Sequence, residues 1–201
     1  MQADALSVLR AETRLSLSKF AAIHASPPCQ GYSSARHLQT ARGKHHPRLI
    51  SQTRFLLENV RLHTGESGFL GKPTPWVIEN VVGAPLVDPI TLCGTSFGLP
   101  LTRHRLFESN IPLTGLPCGD HTNAHYNPVG HAYVNTGLRN TVLTPDDRRY
   151  WASRTREAMG IDWMNRDELK EAIPPAYTEL IGNQIWMWLV QNKPQLGLET
   201  M

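Results

Sequence analysis

The chain has 201 residues, enough for one domain with a hydrophobic core, and a formal net charge of +3 at pH 7. No run of about 18 apolar residues is present, and the first residues lack the pattern of a secretory signal, so the sequence predicts a cytoplasmic protein without a membrane partner. Three cysteines without paired spacing argue against a disulfide framework.

The first residues predict the end of a strand followed by a helix. Asp4 comes just before the apolar residues Leu6, Val8 and Leu9. Aspartate is a residue type that caps helices, because its side chain accepts hydrogen bonds from free backbone N–H groups of the first turn. Asp4 is therefore predicted to cap a helix.

A cysteine then follows a short apolar segment. Residues 20–25 predict a buried strand of a parallel sheet, and Pro27 and Pro28 end it. Gly31 permits a sharp bend directly afterwards. Cys29 is thus predicted to lie on a stiff loop at a strand end, where α/β sheets bind ligands. The alternative is a small buried hydrophobic residue, as free cysteines commonly are.

The next segment, residues 34–47, is polar and basic and predicts a mobile active-site loop. The chain has no acidic residue between Glu12 and Glu58, and the basic side chains crowd one stretch: Arg36, His37, Arg42, Lys44, His45, His46 and Arg48. Such a stretch suits phosphate contacts, and a solvated loop is the alternative. The spacing of apolar residues then predicts a crossover helix over 47–63.

The tripeptide Glu-Asn-Val occurs twice, at 58–60 and 79–81. Glu58 lies in the predicted helix, where an acidic residue is ordinarily solvated. Glu79 ends a short predicted strand that begins at Trp76, and a carboxylate at a strand end enters the same crevice as the Cys29 loop. The second copy is therefore the predicted functional one.

Residues 90–98 and 102–108 predict two further strands joined by a Gly-Leu-Pro turn. Arg103 and Arg105 alternate, so they are expected to project from one face of their strand. A polar edge strand with two surface arginines is the alternative.

Residues 108–142 are rich in Gly, Pro, Asn and His and show no sustained period. Cys118, His121 and His125 suggest zinc, but three ligands without a fourth at standard spacing favour ordinary loop residues, so no metal site is predicted.

The C-terminal part is predicted to be helical. A helix is expected from Thr144 to Gly160, because Thr-Pro-Asp-Asp is typical of a helix start and Gly of a helix end. A last helix follows Ile173. Its apolar residues are predicted to belong to the core: Trp186, Met187, Leu189 and Val190.

Taken in order, these motifs resemble those of the C5-cytosine-specific DNA methyltransferases. The matching segments are Pro27-Pro28-Cys29-Gln30-Gly31-Tyr32-Ser33, Glu79-Asn80-Val81, Arg103-His104-Arg105 and Ile181-Gly182-Asn183. The resemblance implies an α/β, Rossmann-like S-adenosylmethionine-dependent methyltransferase fold with a small target-recognition insertion. It implies a catalytic core over 1–107, a short target-recognition region over 108–142 and C-terminal helices over 143–201 that complete the core.

The resemblance also implies roles for individual residues. Cys29, Glu79, Arg103 and Arg105 would be catalytic, with Cys29 adding to C6 of a cytosine flipped out of double-stranded DNA. Asp4, Pro28 and Asn183 would bind S-adenosylmethionine, and Gln30, Ser33 and Asn80 would bind the substrate. Leu101 stands where the family usually has Gln.

The family's Gly-rich cofactor loop has no counterpart, since no glycine precedes Gly31. The fold is therefore expected to be incomplete at its N-terminus, to leave the Cys29 strand as an exposed sheet edge, and to bind S-adenosylmethionine weakly or not at all. One alternative is an inactive DNA-binding remnant, or one half of a split methyltransferase completed by an N-terminal fragment in trans. Another is a thiol enzyme acting on free pyrimidine nucleotides, against which the target-recognition interval and the Ile-Gly-Asn helix argue.

Overall fold

The computed structural model describes residues 4–10, 17, 20–33, 43, 46–60, 73–122 and 145–192, with residues 145–149, 151 and 166 as backbone only. Over these residues the chain is an α/β protein. Its helices are α1 (Ala5–Arg10), α2 (Ile50–Leu57), α3 (Pro145–Met159), α4 (Arg166–Glu171) and α5 (Pro175–Gln191), and its strands are β1 (Ile23–Ala25), β2 (Trp76–Asn80), β3 (Ile90–Leu92) and β4 (Arg105–Ser109). A short 3₁₀ helix spans Gly94–Phe97. None of the described helices combines the length and the apolar character needed to cross a membrane.

The four strands form one mixed sheet in the order β1-β2-β4-β3. β1 runs parallel to β2, with Ala25 beside Ile78, whereas β4 is antiparallel to both β2 and β3. A parallel pair requires a crossover connection, and α2 lies in it. Within the described ranges β1 pairs with β2 alone, so its other side is a sheet edge, as the sequence predicts.

Alternation along the central strand β2 divides the core into two layers. Trp76 and Ile78 pack against α1 and α2, together with Leu56 and Leu57. Val77 faces the opposite side, where it packs with Phe107 of β4 and with Tyr177 and Ile181 of α5. All five residues of β2 are buried. The sheet is therefore covered on one face by α1 and α2 and on the other by α5.

Several element boundaries differ from the sequence prediction. The crossover helix begins at Ile50 rather than at Pro47 and ends at Leu57, and residues 61–63 of the predicted helix lie outside the described ranges. β3 ends at Leu92 rather than at residue 98, because the chain turns into the 3₁₀ helix and Gly98, with φ of 70°, ends that turn. The predicted helix ending at Gly160 is confirmed as α3, and Gly160 has φ of 68°.

The prediction that Trp186, Met187 and Val190 belong to the core is wrong. Their exposed fractions are 62%, 54% and 43%. The buried face of α5 is formed by Tyr177 and Ile181, which are four residues apart and so lie on one side of the helix. The three exposed residues occupy the other side.

A buried ion pair joins α2 to β4 on the same face of the sheet. Arg54 donates from Nε and Nη2 to the two carboxylate oxygens of Glu108, and its Nη2 also donates to the carbonyl of Pro85. The backbone N–H of Val87 donates to the same carboxylate at 2.9 Å. Glu108 is 3% exposed, so its charge depends on these donors for the solvation that water no longer supplies.

Replacing Glu108 with Gln is expected to lower the free energy of unfolding by roughly 1.5–3 kcal/mol, the usual range for a hydrogen bond to a charged group. Chemical denaturation of the two proteins measures the difference. The matched control is Glu157→Gln, since the Glu157–Arg154 pair is exposed and should contribute at most about 0.5 kcal/mol. Equal losses in the two variants would contradict a structural role for the Arg54–Glu108 pair.

Candidate active site

The Cys29 loop is attached to the end of the neighbouring strand. Asn80, the last residue of β2, is fully buried, and its Nδ2 donates to the carbonyl of Pro27 at 2.9 Å. Its Oδ1 accepts from the backbone N–H of Val81. Within the loop, the Cys29 carbonyl accepts from the backbone N–H groups of Tyr32 and Ser33, both at 3.0 Å. The half-buried Cys29 therefore lies on a hydrogen-bonded turn fixed to β2.

The far end of the same loop is held by Tyr32 and Gly31. Tyr32 is buried, and its hydroxyl accepts from the N–H of Ile50, the first residue of α2, at 3.3 Å. A Cβ atom on Gly31 would lie 3.3 Å from the carbonyl oxygen of His46, so only a glycine fits without displacing that backbone. The arginine of the basic segment nearest to α2, Arg48, lies 6.0 Å from the Tyr32 ring centre.

Opposite the loop, Glu79 and Arg105 form an ion pair with an Nε–oxygen distance of 3.0 Å. Glu79 is paired in register with Phe107, and Arg105 is two residues before Phe107, so the pair is a diagonal contact on one face of the sheet. Both side chains are about nine-tenths buried. The interpretation of a polar edge strand with surface arginines is wrong, because β4 lies between β2 and β3.

Arg103 precedes β4 rather than lying in it, and it is 3% exposed. Its Nη2 donates to the carbonyl of Lys170 at 2.6 Å, and its own carbonyl accepts from the Tyr177 hydroxyl at 2.6 Å. These contacts hold it between α4 and α5. Its Nε is buried and has no hydrogen-bond partner among the described residues. Burial lowers the pKa of Arg103 to about 10, which leaves the side chain charged at neutral pH.

The pKa shifts of Cys29 and Glu79 show that these groups share one environment. Burial raises the pKa of the Cys29 thiol, and so do the nearby carboxylates of Glu171 and Glu79, whereas Arg105 lowers it. Burial also raises the pKa of Glu79, against the lowering effect of Arg105 and of a hydrogen bond from Ser26. The resting site therefore favours a neutral thiol and makes Glu79 easier to protonate than an exposed glutamate.

The three predicted cofactor residues lie apart from this cluster or at its rim. Asp4 accepts hydrogen bonds from the N–H and hydroxyl of Ser7, so it is the predicted cap of α1. Pro28 and Asn183 are exposed. Next to Asn183, Gly182 lines a cleft of about 180 Å³ between β1 and α5. That cleft is otherwise lined by Ala22, Ile23, His24, Val77, Phe107, Thr178, Ile181 and Ile185.

The predicted substrate residues Gln30 and Ser33 lie in the turn after Cys29, where the Ser33 hydroxyl is 3.4 Å from the Gln30 carbonyl. Asn80 instead anchors the loop, as described above. The basic side chains of Arg36, His37, Arg42, Lys44 and His45 lie outside the described residues, as do positions 123–142 of the predicted target-recognition region.

Sequence reasoning missed several residues around the site. At the end of α4, Glu171 raises the pKa of Cys29, and the Lys170 carbonyl accepts a hydrogen bond from Arg103. Tyr177 of α5 donates to the Arg103 carbonyl. All three residues lie more than 60 positions beyond Arg103. Lys170 and Glu171 stand in no motif, and Tyr177 stands in the segment that resembles the closing motif but was given no role. Cys118 and His121, which the sequence favoured as ordinary loop residues, lie close to Cys93 and His104 in the structure. His125, the third ligand suggested by the sequence, lies outside the described residues.

A scan of the sequence against models of known protein families gives no match, and a search of curated proteins gives none either.

Replacing Glu171 with Gln is expected to lower the pKa of Cys29, since a carboxylate that opposes thiolate formation is removed. The rate of iodoacetamide alkylation of Cys29, followed by mass spectrometry of its peptide, should then rise at a lower pH than in the parent chain. Glu179→Gln, an exposed change on α5, is the control and should leave the profile unchanged. An unaltered profile in Glu171→Gln would contradict the placement of α4 beside the thiol.

Proposed function

We propose that this chain is a DNA (cytosine-5)-methyltransferase that uses Cys29 as its covalent nucleophile. The observation that carries the proposal is the convergence of a strand-end thiol, a buried carboxylate and two arginines at one end of the β1-β2-β4 sheet. These are the residue types, in the motif order, on which the resemblance depends. A thiol beside a carboxylate of raised pKa also suits the chemistry that cytosine C5 requires.

Cytosine C5 is a weak nucleophile until a thiolate adds to C6. In the proposed reaction the Cys29 sulfur forms a bond to C6, and the displaced electron pair moves toward N3 and C5 of the ring. Glu79 donates a proton or a strong hydrogen bond to N3, for which its raised pKa is favourable. After methylation a water molecule accepts the C5 proton, and the electron pair left behind re-forms the C5–C6 double bond as the S–C6 bond breaks. Cys29 leaves as the thiolate, and N3 returns its proton to Glu79.

The two arginines have different parts in this proposal. Arg105 is held by Glu79 and stabilises the Cys29 thiolate through its charge. Arg103 is fixed by Lys170 and Tyr177, and its buried Nε is a donor without a partner in the described part of the chain. An acceptor on a flipped base would satisfy that donor, because an unpaired buried N–H is costly.

The described residues fit the cytosine side of the reaction better than the cofactor side. S-adenosylmethionine, when bound, would supply an electrophilic methyl group. Asp4 is engaged as a helix cap, and Pro28 and Asn183 are exposed. Within the described ranges these three residues do not enclose a nucleotide-sized ligand, so further residues must complete that half of the site.

The assignment of Cys29 as the nucleophile is tested with duplex DNA that contains 5-fluorocytosine. Because the fluorine at C5 cannot leave as the proton does, the bond between Cys29 and C6 persists. With S-adenosylmethionine present and an N-terminal methyltransferase fragment added to complete the cofactor half of the site, the parent chain is expected to form a covalent adduct, visible as a band of lower mobility in a denaturing gel. Cys29→Ser should form none, because a serine hydroxyl is not ionised near neutral pH.

The matched control is Cys118→Ser, which removes an exposed thiol away from the loop and should not abolish the adduct. Mass spectrometry of the digested adduct identifies the modified peptide. An adduct that still forms in Cys29→Ser would contradict the assignment of Cys29 as the nucleophile.

Replacing Glu79 with Gln is expected to slow methyl transfer by roughly 10²-fold or more, the scale of a general-acid contribution, with duplex affinity little changed. Glu58→Gln is the control from the other Glu-Asn-Val copy. Glu58 is exposed at the end of α2, so its replacement should have little effect on the rate. Rapid-quench measurement of single-turnover transfer compares the two. A larger loss in Glu58→Gln would reverse the choice between the copies.

A second candidate is one half of a split methyltransferase. It is favoured by the side of β1 that pairs with no other strand among the described residues. An open strand edge offers backbone N–H and C=O groups for pairing, and Phe20, exposed by 58%, lies just before β1. A partner bearing a Gly-rich loop would cover this edge. Methyl transfer by the chain alone, compared with transfer after addition of an N-terminal methyltransferase fragment, discriminates the two candidates.

A further inference from the structure

Four potential metal ligands meet beside the proposed active site. The Sγ atoms of Cys93 and Cys118 and one ring nitrogen each of His104 and His121 all lie within 4.8 Å of one another. The sequence separates them by up to 28 positions, and they come from three places in the fold. Cys93 follows β3, His104 precedes β4, and Cys118 and His121 lie in the segment after β4.

We propose that Cys93, His104, Cys118 and His121 bind one structural zinc ion. The proposal stands on this cluster and does not depend on the methyltransferase assignment. Two thiolates with two imidazoles form a common ligand set of tetrahedral structural zinc, and four protein ligands leave no open position for a reacting water.

Two of the ligand–ligand distances are close to those of a zinc tetrahedron. Zn–S bonds of about 2.3 Å and Zn–N bonds of about 2.0–2.1 Å place neighbouring ligand atoms roughly 3.4–3.8 Å apart. Cys93 Sγ lies 3.4 Å from His121 Nε2, and Cys118 Sγ lies 3.3 Å from His104 Nε2. Each sulfur is therefore already at about the separation from one imidazole that a shared metal would impose.

The surroundings hold the ligands in position. The Thr95 hydroxyl lies 3.2 Å from Cys93 Sγ, where it can donate to a metal-bound thiolate. Between Cys118 and His121, a Cβ atom on Gly119 would lie 2.7 Å from the Thr95 carbonyl oxygen. The turn can approach the 3₁₀ helix so closely only with glycine at this position.

The next residue, Asp120, accepts from both the N–H and the hydroxyl of Thr122, which closes a short turn around His121. Cys118 and His121 are separated by two residues in a Cys-x-x-His spacing, which suits a pair of ligands presented by one turn. Because Cys118 and His121 are exposed, packing alone does not account for their approach to Cys93 and His104.

Zinc at this position would attach the segment after β4 to the edge of the sheet. The segment has no regular secondary structure from Pro112 to His121. A bound metal would therefore fix a segment that no helix or strand hydrogen bonds hold in place. It would also fix His104, which lies between Arg103 and Arg105. We expect the role to be structural.

The test measures metal in the whole chain, purified in reducing buffer without chelator. Inductively coupled plasma mass spectrometry should find about one zinc per chain. Titration of the metal-free, reduced chain with Co²⁺ should produce the visible bands of tetrahedral cobalt bound to two thiolates, and Zn²⁺ should abolish them. Removal of zinc by a chelator should lower the thermal midpoint reversibly.

Cys118→Ser and His121→Ala should each lower the zinc content and the affinity for Co²⁺ at least ten-fold, the scale expected for loss of a ligand. The matched controls are Cys29→Ser and His24→Gln, which change the same residue types elsewhere and should retain one zinc. Because both lost ligands lie in an exposed segment, the variants should still fold, which circular dichroism verifies.

Three results would overturn the proposal. The first is a reduced, folded chain that contains no zinc and gives no tetrahedral cobalt spectrum. The second is a stable Cys93–Cys118 disulfide in a chain kept under reducing conditions, which would identify the cluster as a covalent link. The third is zinc retained in both Cys118→Ser and His121→Ala, which would show that the metal binds elsewhere.

Discussion

The ion pair between Glu79 and Arg105 is the contact on which the arrangement of the site depends. It joins the two central strands, β2 and β4, and both of its members shift the pKa of Cys29. Both side chains are largely buried. A buried pair of this kind contributes little net stability, because desolvation offsets most of the attraction, whereas loss of one partner is costly. Its effect is therefore mainly to fix position: the carboxylate and the guanidinium stay beside each other, and both act on the pKa of the thiol.

This arrangement couples the protonation of Glu79 to the ionisation of Cys29. Glu79 raises the pKa of the thiol while Arg105 lowers it. Protonation of Glu79 would remove one opposing charge and release Arg105 from its nearest anion, and both changes favour the thiolate. In the proposed reaction Glu79 then passes its proton to N3 of the cytosine. A change in the pKa of Glu79 therefore also changes the pKa of Cys29. Glu171, on α4, adds a second opposing charge from outside the sheet.

The sequence was informative where a local pattern determines structure. A strand end followed by two prolines predicted the Cys29 loop, and Glu79 could be separated from Glu58 by the strand that precedes it. Patterns failed where distant contacts decide. β3 ends early because Gly94 is packed against Leu101, and Trp186 is exposed because Tyr177 and Ile181 form the buried side of α5. The approach of Cys93 to His104 in the proposed zinc site could not be predicted from their spacing in the sequence, because the β3–β4 pairing brings them together.

The proposed zinc site and the proposed active site meet at His104. Its ring contacts Cys118 and His121, while the two flanking arginines make contacts of their own, Arg105 with Glu79 and Arg103 with Lys170. The His104 carbonyl also accepts from Arg105 Nη1 at 2.9 Å. A ligand bond at His104 would therefore restrict the backbone that positions both guanidinium groups. Since the same segment continues into residues predicted to recognise the target, a metal here would tie the position of that region to the geometry of Glu79 and Arg105.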